Sequence, residues 1–284
     1  MALRQTSDLQ ELEQTAKRLR ERIVKMGRAM ASKPGESGSG HPSTALSATD
    51  IVTALHFSRL NWDASDSGKP DRDRFVISKG HGVPVLYAAY AEAGAIEEAE
   101  LDTLRRTGSR LQGHPDPVRL PFVEAATGSL GQGLSIAMGL ALAAKLDGAS
   151  WRTYCLLGDG ECQEGQVWEA AMSAPKFELD NLCAIVDFNK IQQTSSVADI
   201  MPTLEPLPLK WGAFSWHVIE IDGHDIGQIL EALDEAAATK GKPTVIIAHT
   251  VKGKGVSFME HSDSWHGKGV TEEQLDQALQ EINA

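Results

Sequence analysis

The chain has 284 residues, 42% of them hydrophobic, with 26 glycines and a formal net charge of −12. That length suits one large α/β domain or two small ones. So acidic a chain argues against nucleic acid or an anionic membrane as partner, since both need a basic face. A phosphorylated ligand stays open, because it needs only a locally basic pocket.

No run approaches transmembrane length, and the N-terminal MALRQTSDLQELEQTAKRLRERI lacks the apolar core of a signal peptide. A soluble, cytoplasmic protein is expected. Cys155, Cys162 and Cys183 have no CxxC spacing and sit in or beside apolar runs, which suits buried, reduced thiols.

Leu12, Ala16, Leu19, Ile23, Val24 and Met26 recur at helical spacing and predict a helix from Leu9 to about Met30. It gives way to KPGESGSGHPS at 33–43, a Gly/Ser/Pro loop able to wrap closely round a ligand. A helix over 48–58 and a polar, turn-rich connection lead to a short buried strand, Phe75–Ser78. Lys79-Gly80-His81-Gly82 then opens a helix through Gly94, with Pro84 where an early-turn N–H has no partner anyway. A further helix is expected over 96–107, followed by the loop TGSRLQGHPDP.

ATGSLGQGLSIAMGLALAAKL reads as a Gly-rich turn running into an apolar, small-residue helix. Two apolar runs, Tyr154–Leu157 and Leu182–Phe188, flank an amphipathic helix at 165–175. After the proline-rich MPTLEPLPLK come a strand, Trp216–Ile221, a helix at 226–239 and a strand, Thr244–His249. The tail ends in a helix whose Thr271 and Gln274 have capping-box spacing. Strands alternating with helices predict an α/β, doubly wound, mainly parallel sheet with helices on both faces. With no repeat, low-complexity stretch or linker, a single domain over 1–284 is expected.

The informative stretch is 156–193. One apolar run ends in Gly158-Asp159-Gly160, and the next delivers Asn189, 30 positions after Asp159. In a parallel sheet those ends share the carboxyl edge, where α/β sheets bind ligands. A carboxylate, a side-chain amide and a backbone carbonyl suit Mg²⁺, which completes its octahedron with water and diphosphate oxygens. Ca²⁺ or Mn²⁺ is able to substitute.

His41, His81, His114 and His266 each lie beside glycine on predicted loops. Singly each reads as an ordinary surface histidine; together they suggest a polar pocket that handles protons and hydroxyls. Their wide separation gives little support to a histidine metal site. Gly128-Ser129-Leu130-Gly131-Gln132-Gly133 opens a helix, either to favour an anion there or simply to make a tight turn with close packing. Lys252 and Lys254 are phosphate contacts or solvated lysines. Glu164 is a capping carboxylate or a proton relay toward a partner subunit.

The chain resembles the diphosphate-binding, N-terminal half of transketolases. The resemblance covers roughly 9–270 and is carried by SGHPS, DRFVISKGHG, GHPD, TGSLGQG, GDGECQEG, AIVDFNKIQQ, DGHD, KGKG and WHGK in the family's order. It implies the thiamine diphosphate-binding fold of the diphosphate-side type, with Asp159, Asn189 and the carbonyl of Ile191 on Mg²⁺. Gly160, Asn189, His81 and His266 would approach the diphosphate. The backbone at Gly128 and Leu130, with Ser129 and Glu161, would flank the cofactor. Lys79, Gln193 and Lys252 match cofactor-contacting positions of the animal-type branch. His41, His114 and His266, with Glu164, would be catalytic residues facing the sugar or relaying protons.

Transketolases are normally much longer. Their glutamate that activates the aminopyrimidine, and the aromatic side chain that stacks on it, lie in a second thiamine-binding domain that this chain does not match. The resemblance therefore implies one subunit of a split, α2β2 transketolase, completed by a companion carrying the pyrimidine-binding half and the C-terminal domain. The reaction implied is transfer of a two-carbon ketol unit from a ketose phosphate to an aldose. The rivals are the α subunit of a 2-oxo acid dehydrogenase, a 1-deoxyxylulose-phosphate-synthase-like enzyme, a transketolase for branched or sulfonated sugars, and a non-catalytic cofactor-binding protein. SGHPS, SKGHG and WHGK favour transketolase over the dehydrogenase, which has no need of sugar-facing histidines.

Overall fold

The structure is a computed structural model that describes residues 5–29 and 40–284. Met30 and most of the Gly/Ser/Pro loop expected at 33–43 lie outside the described residues. Five strands, β1 (Arg74–Ile77), β2 (Thr153–Gly158), β3 (Leu182–Phe188), β4 (His217–Asp222) and β5 (Thr244–His249), form one sheet in the order β1-β2-β3-β5-β4. Every neighbouring pair is parallel. The sheet is thus wholly rather than mainly parallel.

The three central strands are near-continuous apolar runs because helices cover both faces. Alternate residues face opposite cores. Leu156, Ile185 and Ile246 join a cluster with Leu19 and Ile23 of α1 (Leu9–Ala29), Ile51 of α3 (Thr49–Ala54), Leu86 of α4 (Pro84–Glu92) and Leu233 of α9 (Ile226–Ala238). Leu157, Val186 and Ile247 join Leu134 and Ala137 of α5 (Gln132–Asp147), Val167 of α6 (Gly165–Lys176) and Trp211 of α8 (Leu207–Ala213). Each apolar side chain buried this way contributes about 1.5–3 kcal/mol, and the strand alternation alone decides which of the two cores it enters.

Two short helices complete the chain, α2 (Pro42–Ser47) and α7 (Val197–Ile200), and α10 (Glu272–Asn283) packs on α1. Thr271 and Gln274 make the expected capping box. Cys155, Cys162 and Cys183 are buried and free.

Three expectations are corrected. Residues 96–107 hold only a 3-10 segment, Glu98–Thr103, opened by a Glu97/Glu100 capping box. Arg105 follows with φ 60, which ends any helix. The helix over 48–58 is α3 followed by a π-turn, Leu55–Arg59. The proline-rich excursion holds a 3-10 turn, Pro202–Leu204, and the start of α8, with proline early in α8 where its missing N–H costs nothing. No helix among the described residues is long and apolar enough to cross a membrane.

Candidate functional site

Because the strands run parallel, the residues after β1, β2, β3 and β5 emerge at one edge of the sheet. There they line a cavity of about 480 Å³. Its walls include His41, Lys79, His81, His114, Gly128, Leu130, Asp159, Gly160, Glu161, Glu164, Asn189, Ile191, Gln193, Lys252 and His266. Those residues span most of the chain, so the fold alone assembles them. Ser129 is exposed and outside the lining.

Asp159 and the β3 exit are locked together. Asp159 accepts hydrogen bonds from Gly160 N at 2.7 Å and from Lys190 N. Lys190 is held at φ 65, in the left-handed region. That turn lets Asn189 Oδ1 accept from Ile191 N at 3.1 Å and brings the Ile191 carbonyl into the cavity wall. Strained backbone at a ligand edge persists only where its surroundings hold it, as the Asp159 carboxylate does here.

Beneath lies a second carboxylate that the sequence reading passed over. Asp187 is fully buried and pairs with the Lys79 ammonium, while Ser47 and Thr250 hydroxyls donate to it. Burial opposes its charge, but the Lys79 cation and these hydrogen bonds hold its carboxyl below the ordinary range. Asp159 goes the other way: burial first, then the Asp187 charge, lift it from 3.8 to about 7. Lys252, also buried, falls to about 8 through burial and the nearby Lys79.

Three histidines far apart in sequence form a triangle. Ring centroids of His41, His81 and His266 stand 5.2, 5.4 and 5.2 Å apart. Burial lowers all three, His41 to about 4, with Arg105 adding to it, and His266 to about 3, with Lys252 adding to it. His81 falls well below its ordinary value from burial and the other two rings. His114 is lowered by burial and Arg105. At neutral pH these rings are uncharged and offer one donor and one acceptor each. Lys252 Nζ lies 2.8 Å from His266 Nδ1; with the ammonium donating, the ring proton sits on Nε2.

Glycine matters at two points. Gly128 has φ +149, and a Cβ there would stand 2.8 Å from the His114 ring. A Cβ on Gly133 would stand 2.3 Å from Ser78 Oγ, so α5 presses directly on the end of β1. The anion at the α5 N-terminus is the protein's own: Glu161 accepts from Gly131 N at 2.9 Å, Gly158 N at 3.0 Å and Ser78. Glu161 therefore ties three loops together and is raised by burial. Glu164 is exposed and makes no side-chain cap to α6, so capping is not what it does.

The donor set suits a divalent cation with a diphosphate. A buried carboxylate that is costly to charge, an amide oxygen and a backbone carbonyl meet at one wall, with Lys252 and neutral imidazoles across from them. Thr44 Oγ1, in the same lining, is buried without a hydrogen-bond partner. Among the described residues no three His, Cys, Asp or Glu side chains are grouped to hold a metal, so a cation here depends on Asn189 and the Ile191 carbonyl. Besides Asp187, sequence reasoning missed Gln163 and Gln192, which line the cavity; no spacing marked them.

The family model described as "Transketolase, thiamine diphosphate binding domain" matches residues 19–283. Human transketolase is 45% identical over 275 residues, 96% of this chain and 42% of that protein. The 6-deoxy-6-sulfo-D-fructose transketolase subunit SqwG of Clostridium sp. (strain MSTE9) is 45% identical over 248 residues, 87% of this chain and 90% of that protein. Transketolase from Leishmania mexicana superposes with a TM-score of 0.87 at 34% identity, over 96% of this chain and 41% of that one. The chain thus spans about 40% of the length of the animal relatives it matches.

Proposed function

The chain belongs to the transketolase family through its thiamine diphosphate-binding domain, and from that premise we propose that it is the diphosphate-binding subunit of a two-chain, cytoplasmic transketolase. It acts as a single domain, completed by a companion that brings the pyrimidine-binding half, in an α2β2 assembly. The reaction is transfer of a two-carbon ketol unit from a ketose phosphate to an aldose. The observation that carries this reading is the match to SqwG, which runs over 90% of a protein itself described as a transketolase subunit.

In that assembly Asp159, Asn189 and the Ile191 carbonyl hold Mg²⁺. Lys252, His81 and His266 face the diphosphate, and the backbone at Gly128 and Leu130 flanks the cofactor. Thiamine diphosphate, once bound, supplies the electron sink for carbon–carbon cleavage. The chain's part is to bind, orient and move protons. His41 orients the donor's upper hydroxyls. His114 and His266, uncharged at neutral pH, take or give protons at substrate hydroxyls. Glu164, at the cavity rim, relays protons toward the companion.

The test is gentle purification of the tagged chain from its host, weighed by native mass spectrometry, with thiamine diphosphate titrated in the presence and absence of Mg²⁺. A companion in equal ratio and Mg²⁺-dependent saturation support the reading. A homodimer that binds no cofactor under either condition overturns it. A second reading, in which the donor is a 6-sulfonated ketose, is favoured by the SqwG match alone. Donor screening of the same complex separates the two.

A further inference from the structure

Lys252 enters the cavity from a turn that is held on its far side by a chain of side chains the site does not otherwise use. Arg20 of α1 pairs with Asp50 of α3, and Asp50 Oδ2 lies 2.8 Å from Nδ1 of His224, in the loop after β4. His224 Nε2 in turn lies 2.8 Å from the backbone nitrogen of Val251, the residue before Lys252. These side chains are nearly enclosed, with Arg20, Asp50 and His224 exposed by 11%, 6% and 12%.

The protonation pattern follows from the partners. The Val251 amide can only donate, so Nε2 must accept. The ring proton then sits on Nδ1 and donates to Asp50. Asp50 is fixed as a carboxylate: burial opposes its charge, but Arg20 and the His224 hydrogen bond hold it below its ordinary range. Carboxylate, imidazole and backbone amide thus stand in line, with one tautomer allowed.

The Val251–Gly255 turn has other tethers, at its middle and its far end, where Gly255 N donates to Glu260 Oε1 at 3.0 Å. Gly253 N donates to Ser43 O at 2.9 Å, and Lys252 O accepts from His261 N at 3.2 Å. Inside, Lys252 Nζ reaches His266 Nδ1 and, at 3.4 Å, the Ile191 carbonyl. The ammonium therefore sits between the histidine triangle and the proposed metal wall. Its position depends on where the turn is pinned.

We propose that His224 is a positioning residue: through the Val251 amide it fixes the turn that sets the Lys252 ammonium against the diphosphate side of the cavity. Arg20 and Asp50 orient its ring. The binding consequence rests on the reading of the cavity as a diphosphate site; the mechanical link does not.

Two substitutions split the ring's functions. His224→Gln can place an amide oxygen near Nε2 and keep an acceptor for Val251. His224→Asn reaches only as far as Nδ1, keeping the Asp50 contact and losing Val251. Calorimetric titration of the full chain, with its companion where one co-purifies, uses thiamine diphosphate in excess Mg²⁺. The expected result is about tenfold weaker binding for His224→Asn, the order of one lost hydrogen bond at a positioned group, and near-normal binding for His224→Gln. In a Lys252→Ala background the His224→Asn loss should vanish, because the two act through one route. Equal loss in both variants, or full additivity with Lys252→Ala, overturns the proposal.

The second readout needs no ligand. Amide exchange of Val251–Gly255 should quicken in His224→Asn, stay slow in His224→Gln, and leave β5 unchanged in both. An unchanged turn, or β4, β5 and α9 loosening together, overturns the proposal whether or not the wild-type chain binds cofactor. Absence of thiamine diphosphate binding by the wild type, with the exchange pattern as expected, would instead count against the proposed function.

Discussion

Asp159 offers the most direct test of the site, because its signature belongs to the chain without ligand. Its rise from 3.8 to about 7, from burial and then Asp187, amounts to roughly 4 kcal/mol at about 1.36 kcal/mol per unit. The sign is opposite to that of a salt-bridged acid. Between those two values the native chain binds a proton that the unfolded chain does not, so this group's contribution falls as pH rises through the window.

The histidines pull the other way. His41 and His56 are lowered to about 4 and His266 to about 3, so they stay neutral in the fold while their unfolded counterparts protonate below about 6.5. Their contribution grows as pH climbs from their folded values toward that point. The wild-type curve is a difference of the two trends and does not isolate Asp159.

Asp159→Asn does isolate it. The variant keeps one oxygen for Gly160 N or Lys190 N and loses the second hydrogen bond, which shifts its curve vertically without changing the slope. Urea midpoints at several values between pH 5 and 8 should show the variant gaining on wild type by roughly 3 kcal/mol across that range. Mg²⁺ with thiamine diphosphate should stabilise wild type far more than the variant at the upper end. Parallel curves without ligand would mean that Asp159 titrates normally and the cavity does not hold a carboxylate in want of a cation.

Three further outcomes are expected. Lys79→Met strands Asp187 as a lone buried charge and should cost about 3–5 kcal/mol in urea, most of it recovered by adding Asp187→Leu; a loss within experimental error would show that the pair is not closed in solution. Gly128→Ala drives a methyl group into the His114 ring from a positive φ that favours glycine, so the melting temperature should fall and kcat/KM of the folded complete complex should drop by about tenfold or more; unaltered turnover would remove His114 from the working set. His266→Ala should lower ketol transfer in the same complex, and unchanged turnover would end its assignment.

The fold was legible where burial leaves a plain pattern. β2, β3 and β5 are covered on both faces, so their apolar runs carry through to the ends given by the structure. It was illegible where local chemistry overrides periodicity. Residues 96–107 have helical composition, but the short 3-10 segment that the Glu97/Glu100 capping box opens ends at Leu104, with ψ 126, and Arg105 at φ 60 turns the chain away. α8 was masked by prolines that its first turn accommodates. The histidines could be picked out singly by their glycine neighbours. Their meeting in a triangle depends on three separate loops and has no sequence signature.

Asp187 shows the deeper limit. Its only mark in the sequence is a lone carboxylate in LCAIVDF, an otherwise apolar strand. A charge in that setting needs a buried partner, and the partner, Lys79, lies 108 positions away. Once paired, Asp187 holds Lys79 in the cavity lining, and its charge helps to raise Asp159 nearby. The residue to which the motif gives a role therefore takes its protonation behaviour partly from one to which it gives none. That is why Asp187→Asn should lower the Asp159 value back toward the ordinary carboxylate range: it removes a neighbouring negative charge, and leaves the contribution of burial in place. If the pH dependence of the Asp187→Asn chain relative to its Asp159→Asn double variant matched that of the wild-type pair, burial alone would govern Asp159.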